Sequence, residues 1–254
     1  MKKASEKNIN QYKKLCNEYP FRIEAHAHTS PASRCSDISP EELVERYTAR
    51  HCDAVVLTNH FAVAHSHDGD LREMADRCIG DYETAKKLGE KAGLGVLLGA
   101  EYRFTENSND YLVYGIEPDD LYRSMPLLDG TLADFRAAFC NHGHYVLLQA
   151  HPFRDGMQTM DPALLDGIEV FNMHPGHNSR VAQAARWVAE TVPPDRPFLT
   201  VCGTDYHHHG HDGLAFLRTA RLPKDSFDFA DLLREQNYLF DFSGYITLPP
   251  RLTQ

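Results

Sequence analysis

Residues 21–29 read FRIEAHAHT, from Phe21 to Thr29. In an extended chain successive side chains point to opposite faces, so Ile23, Ala25 and Ala27 share one face and Glu24, His26 and His28 the other. The apolar row is what a core requires. The other row sets a carboxylate beside two imidazoles, and ionisable groups are expensive to desolvate unless something pairs with them. The stretch predicts a strand whose polar face serves a site.

Working outward, further apolar runs rich in β-branched and aromatic residues occur at 52–60, 94–104, 111–116, 144–153, 167–172 and 198–207, with a weaker one at 217–222. Helix-like segments separate them. SPEELVERYTAR carries Ser39 as N-cap, Pro40 at the first helical position and Glu42 two further on, a capping box. DYETAKKLGEKAG ends on a glycine stop at Gly93, and HNSRVAQAARWVAETV is rich in helix formers. Alternating strands and helices predict a parallel α/β sheet, open or closed into a barrel. Neither GxGxxG nor a P-loop occurs. The 254 residues suffice for one domain over 1–254, with 1–20 read as a helical extension.

The strand candidates share a habit. Each is apolar until its C-terminal end, where it delivers polar groups: Thr58-Asn59-His60, Gly99-Ala100-Glu101, Gln149-Ala150-His151 and Gly203-Thr204-Asp205-Tyr206-His207. In parallel α/β proteins those ends gather on one face, where active sites lie. Imidazole with carboxylate is the ligand set of Zn, Mn or Fe. Any single buried histidine is as readily a hydrogen-bonded core residue, but six or more ionisable groups buried together predict a metal.

Composition narrows the classes. The net charge is -10, with no basic stripe, so long nucleic acids and anionic membranes are not expected partners. The six cysteines (Cys16, Cys35, Cys52, Cys78, Cys140, Cys202) form no CxxC pair and read as reduced. The basic start, MKKASEKNINQYKK, is followed by no apolar segment, which predicts a cytoplasmic location. Histidine is abundant, at fifteen residues.

HAHTSPASRCS (26–36), VVLTNH (55–60), GAE (99–101), AHP (150–152) and GTDYH (203–207) resemble, in order and spacing across nearly the whole chain, the PHP (polymerase and histidinol phosphatase) family. The resemblance implies a distorted (β/α)7 TIM-like barrel. At the C-terminal ends of its strands it implies two to three divalent transition-metal ions (Mn, Fe or Zn) and hydrolysis of phosphoesters. It implies His26, His28 and Asp205 at a first metal, Glu101 bridging to a second that His151 also holds, and His60 and His207 at a third. Asp205, His207 and Glu101 become the catalytic candidates, and Glu24 a supporting or water-contacting group. Three departures stand out. Asn59 replaces the family's usual aspartate, which predicts a weaker third site. Ser33-Arg34-Cys35-Ser36 lacks the usual Asp or His, with Cys35 an alternative ligand. Asp110 stands where many relatives have histidine, as a ligand or an Asx-turn residue. Arg103 and Arg154 read as phosphate contacts or structural ion pairs. His174 and His177 read as substrate contacts or loop decoration, and the remaining histidines of 207–211 as mouth or solvated loop.

The expected function is a metal-dependent phosphoesterase acting on a small phosphomonoester or nucleotide through a metal-activated water. The alternatives are a degenerate PHP module that binds metal without turnover and an amidohydrolase-like metal hydrolase acting on a non-phosphate substrate. No GxSxG or Cys/His nucleophile signature is present.

Overall fold

The capping box at Ser39 is formed: Ser39 Oγ accepts from the Glu42 N–H at 3.2 Å, and Glu42 Oε2 accepts from the Ser39 N–H at 3.0 Å. The structure is a computed structural model and describes residues 6–139 and 144–250. Cys140 and the first five residues of the expected extension lie outside them; the other five cysteines are free thiols.

Helix α1 (Glu6–Glu18) leads into β1 (Phe21–Ala27), and α2 (Pro40–Ala49) into β2 (Ala54–Leu57) and the short β3 (His60–Ala62). Helix α3 (Leu71–Ala92) begins ten residues before the stretch read as helical, because Asp70 accepts from the Glu73 N–H and starts it early; it stops at Gly93 as read. Then come β4 (Gly95–Arg103), β5 (Tyr111–Tyr114), α4 (Pro118–Ser124), α5 (Leu132–Phe139), β6 (Val146–Gln149), β7 (Gly167–Asn172), α6 (Val181–Thr191) and β8 (Leu199–Gly203). The chain closes with β9 (Phe216–Thr219), α7 (Ser226–Glu235), β10 (Tyr238–Phe242) and β11 (Tyr245–Thr247).

The sheet runs β11-β10-β9-β1-β2-β4-β5-β6-β7-β8, with β3 beside β4. Pairs β1–β2, β2–β4, β3–β4, β6–β7 and β7–β8 are parallel. The expectation of a wholly parallel sheet is corrected at β4–β5 and β5–β6 and at the pairs joining β1, β9, β10 and β11, which are antiparallel. The link from Phe104 to Asp110 is too short for a crossover, so the chain can only turn back. The sheet curls until Ala27, at the end of β1, bridges Tyr206 beyond β8; the His28 N–H donates to the Tyr206 carbonyl at 2.9 Å. The result is a TIM-like α/β fold. Its central strands β2 and β4 are buried on both faces, Val55 and Leu57 packing with Leu43 and Tyr47 of α2, and Val56, Leu97 and Leu98 within the larger core. Among the described residues no helix is long and apolar enough to cross a membrane.

One register shift matters for the site. The β1–β2 pairing slips between Glu24 and Ala27, and a bulge breaks the alternation of faces. Ala27 joins the α2 side of the core while Ile23 and Ala25 stay in the other cluster. Glu24 leaves the histidine row. Its carboxylate accepts from the His26 and Thr204 N–H groups at 3.0 and 2.9 Å and from the Tyr47 hydroxyl at 2.9 Å. The supporting role read for Glu24 is thus a clamp between β1, α2 and the segment after β8.

Candidate metal centre

Two buried carboxylates gather five histidines. Glu101 Oε1 lies 3.0 Å from His151 Nε2 and 3.4 Å from His26 Nε2, and its Oε2 lies 2.9 Å from His60 Nδ1 and 3.4 Å from His28 Nε2. Asp205 Oδ1 lies 3.3 Å from His26 Nε2, 3.4 Å from His28 Nε2 and 3.3 Å from His207 Nδ1. The structure therefore brings His26, His28, His60, Glu101, His151, Asp205 and His207 to one place from segments far apart in the chain.

Several ring orientations are set from outside. Ser33 Oγ gives its proton to Asn59 Oδ1 at 2.9 Å, so towards His28 Nδ1, 3.1 Å away, it is an acceptor. His26 Nδ1 faces Glu169 Oε1 at 2.9 Å, and His207 Nδ1 faces the Asp205 carbonyl at 3.0 Å. Each Nδ1 must be the donor, which leaves the lone pair of the neutral ring on Nε2. Yet Nε2 of His26, Nε2 of His28 and Oε2 of Glu101 are buried without a hydrogen-bond partner. Buried polar atoms are nearly always satisfied. Donor atoms of His26, His28 and Glu101, of His28, His60 and His207, and of His60, Glu101 and Asp110 each lie within 4.8 Å of one another. The residues fit divalent cations.

The electrostatics agree. Burial opposes charge on His26, but Glu169, Asp205 and Glu101 hold it protonated, well above the usual range. Burial also works against Glu101 and Asp205, yet the neighbouring imidazolium of His26 keeps both well below the carboxylate range. His28 is driven well below by burial and by His207 and His60. Protons on the rings thus balance the carboxylates, and a cation binding there would displace them.

Asn59 Oδ1 accepts from the Thr29 N–H at 2.7 Å as well as from Ser33, and Nδ2 donates to Thr29 Oγ1 at 2.9 Å. The side chain holds the loop after β1 and orients His28 through Ser33; its polar atoms are spent there. Asp110 is paired with Arg103 by two 2.7 Å bonds and stands 3.8 Å from His151 Nε2. The Asx turn belongs to Asn107, whose Oδ1 accepts from the Asn109 N–H, and not to Asp110. Arg154 pairs with Asp205 Oδ2 and donates to Asn172 Oδ1 at 3.1 Å. Both arginines are therefore ion-paired, and both line the cleft.

That cleft, of about 370 Å³, opens over the centre and is also lined by His174, His177, His208 and Cys35. His209 turns away to Arg46, 3.2 Å from its Nδ1. Partial desolvation raises the Cys35 thiol, but hydrogen bonds to His207 and His60 bring it down to about 6. Two residues of the site were not read from the sequence. His65 stacks on His60 with ring centroids 4.2 Å apart; an imidazole five residues beyond a candidate ligand was the available signal. Glu169 is the other, and a lone acid within the apolar run GIEVFN was its signal.

No protein-family model matches the sequence, and no curated protein does. Solved structures share the fold. A two-domain protein from Bacteroides vulgatus ATCC 8482, described as containing a predicted PHP-like metal-dependent phosphoesterase, aligns with a TM-score of 0.61 at 15% identity, over 89% of this chain and 66% of that one. The chain thus spans just under two thirds of that relative. PsfC from Pseudomonas syringae PB-5123 aligns with a TM-score of 0.55 at 16% identity, over 78% of this chain and 80% of that one. An amidohydrolase from Chromobacterium violaceum, with bound sulfate and no metal, aligns with a TM-score of 0.47 at 15% identity, over 75% of this chain and 89% of that one. The chain has a PHP-like fold.

Proposed function

We propose that the chain is a metal-dependent phosphoesterase that hydrolyses a small phosphomonoester. The observation that carries this reading is the convergence of buried, unpartnered His26 Nε2, His28 Nε2 and Glu101 Oε2 in a PHP-like fold. In this reading β1, β2 and β4 to β8 are the seven strands of a distorted barrel, and the chain is one domain. His26, His28, Asp205 and Glu101 would hold a first ion, Glu101, His151 and Asp110 a second, and His60, His207 and Cys35 a third. Bound there, divalent ions would supply the Lewis acidity that lowers the pKa of a water and neutralises phosphate oxygens. The chain's own groups do the rest. Arg154, whose buried Nε has no partner, and Arg103 flank the cleft and bind anionic oxygens. His174 and His177 orient the substrate at the mouth. The acidic chain takes a small substrate, not a long nucleic acid, and works in the cytoplasm.

A second reading, metal binding without turnover, is favoured by one observation: Arg103 and Arg154 occupy carboxylate oxygens of Asp110 and Asp205. Elemental analysis after chelator-free purification, followed by phosphate release from a panel of small phosphomonoesters and amide hydrolysis as the comparison, separates the readings. At least two ions per chain with metal-dependent phosphate release supports the phosphoesterase. Ions without release support the module, and turnover of amides alone supports an amidohydrolase-like enzyme.

A further inference from the structure

Glu169 sits in β7 beside a register shift against β8, between Glu169 and Phe171. Its buried carboxylate accepts three hydrogen bonds. Oε1 takes one from His26 Nδ1 at 2.9 Å; Oε2 takes one from the His151 backbone N–H at 3.1 Å and one from Asn172 Nδ2 at 2.9 Å. We propose that Glu169 is a positioning residue that couples the first and second metal positions, fixing the His26 ring through one oxygen and the His151 backbone through the other. The inference rests on the proposed centre binding metal, and on nothing about the substrate.

Donors and acceptors fix the roles. A carboxylate accepts on both oxygens, so His26 Nδ1 must keep its proton and Nε2 must offer the lone pair to the centre. His151 has φ 28°, a left-handed conformation that non-glycine residues seldom adopt, and the bond from its N–H to Oε2 holds it there. The packing is cut to this arrangement. A Cβ on Gly203 would stand 2.4 Å from His26 Cβ and 2.8 Å from Glu169 Oε1, so only glycine lets β8 pass this close to the pair.

A glutamine cannot replace this group. If its oxygen stays with His151 and Asn172, its NH2 faces His26 Nδ1, which must then accept. That moves the proton of the neutral ring to Nε2, the ligand atom. If the amide turns round, two donors confront the NH2 and His151 loses its restraint. Either way one of the two positions loses its support, His26 in the first case and His151 in the second, whereas loss of packing alone would disturb neither hydrogen bond.

The test uses the full-length protein, stripped and titrated with Zn(II) alone by calorimetry with chelator competition. Imidazole N–H signals are followed by NMR in parallel. Glu169→Gln is expected to stay folded and to bind at least one of the two tightest ions about 10- to 100-fold more weakly, the range for loss of a metal ligand's outer partner. The hydrogen-bonded His26 Nδ1–H resonance should disappear where the first ion is the one weakened, and persist where it is the second. Val170→Ala, which opens the core one residue away, should bind metal and keep that resonance as the wild type does. Wild-type affinities and a retained Nδ1–H resonance in Glu169→Gln would overturn the inference, as would an equal loss of affinity in Val170→Ala. A wild type that binds no metal would defeat the metal-centre reading and the coupling inferred from it, whereas normal wild-type binding with an unaffected variant defeats the inference alone.

Discussion

Replacing Asn59 with aspartate, the residue the PHP resemblance leads one to expect, should weaken the protein and add no ion. The Asn59 amide donates to Thr29 Oγ1 at 2.9 Å, and the Thr29 hydroxyl donates onward to Asp81 Oδ2 at 2.8 Å. An aspartate keeps the acceptor for Thr29 N–H and Ser33 but loses the donor. Two buried carboxylates then compete for one hydroxyl proton. The lost bond is worth about 1 kcal/mol and a poorly satisfied buried acceptor about 1–3 kcal/mol more, so roughly 2–4 kcal/mol in all. In a chain of this size that lowers Tm by roughly 5–15 °C. The new carboxyl should have a raised folded pKa, because Asp81 itself is raised by burial. The deficit should therefore shrink at low pH, where the carboxyl is neutral in both states, and grow as pH rises from the unfolded pKa to the folded one. Urea denaturation of stripped protein at pH 4 and pH 8, with metal titration alongside, measures all of this. A variant as stable as the wild type at pH 8, or one that takes up an additional ion, would refute the reasoning.

Groups around the centre give two more tests. Burial raises Glu24 to about 7 against hydrogen bonds from Thr204, His26 and Tyr47, so its contribution to stability is present below the ordinary carboxylate range and is lost as pH rises through 7. The slope is at most about 1.4 kcal/mol per pH unit. Glu24→Gln can keep all three contacts, its NH2 turned to the Tyr47 oxygen, and should flatten the stability curve between pH 4.5 and 7; parallel curves would contradict this. Cobalt-loaded wild type should show near-ultraviolet thiolate-to-metal absorption from Cys35, and Cys35→Ser should lose that band while retaining the other ions. Cobalt-loaded wild type without such a band would remove Cys35 from the third position.

Much of the centre was legible because its residues sit on or just beyond strands, where sequence order and spatial convergence coincide. His26 and His28 announced themselves by interrupting an apolar alternation, and Glu101, His151 and Asp205 by ending apolar runs. Glu24 was misplaced because a bulge changes the face without changing the residues. The role of Asn59 depends on partners across a loop, which spacing alone does not encode. The pairing of Arg154 with Asp205 spans 51 positions and is set by the curl of the sheet. The reversal at β4–β5 was readable in principle from the short link, and the one at β5–β6 was not, since two helices intervene there as they would in a crossover. Glu169 shows the same limit: an acid in an apolar strand signals a buried partner without saying which.

Phosphate release measured against bound metal tests the proposed centre most directly. Stripped protein would be titrated with Mn(II), Fe(II) or Zn(II), one ion at a time, in the presence of a small phosphomonoester it hydrolyses as purified. With Glu101 bridging two positions, release should stay near zero while the first equivalent binds and rise as the second fills, and Glu101→Gln should abolish the rise. Full activity with a single ion, or undiminished release from the stripped chain, would contradict a dinuclear phosphoesterase.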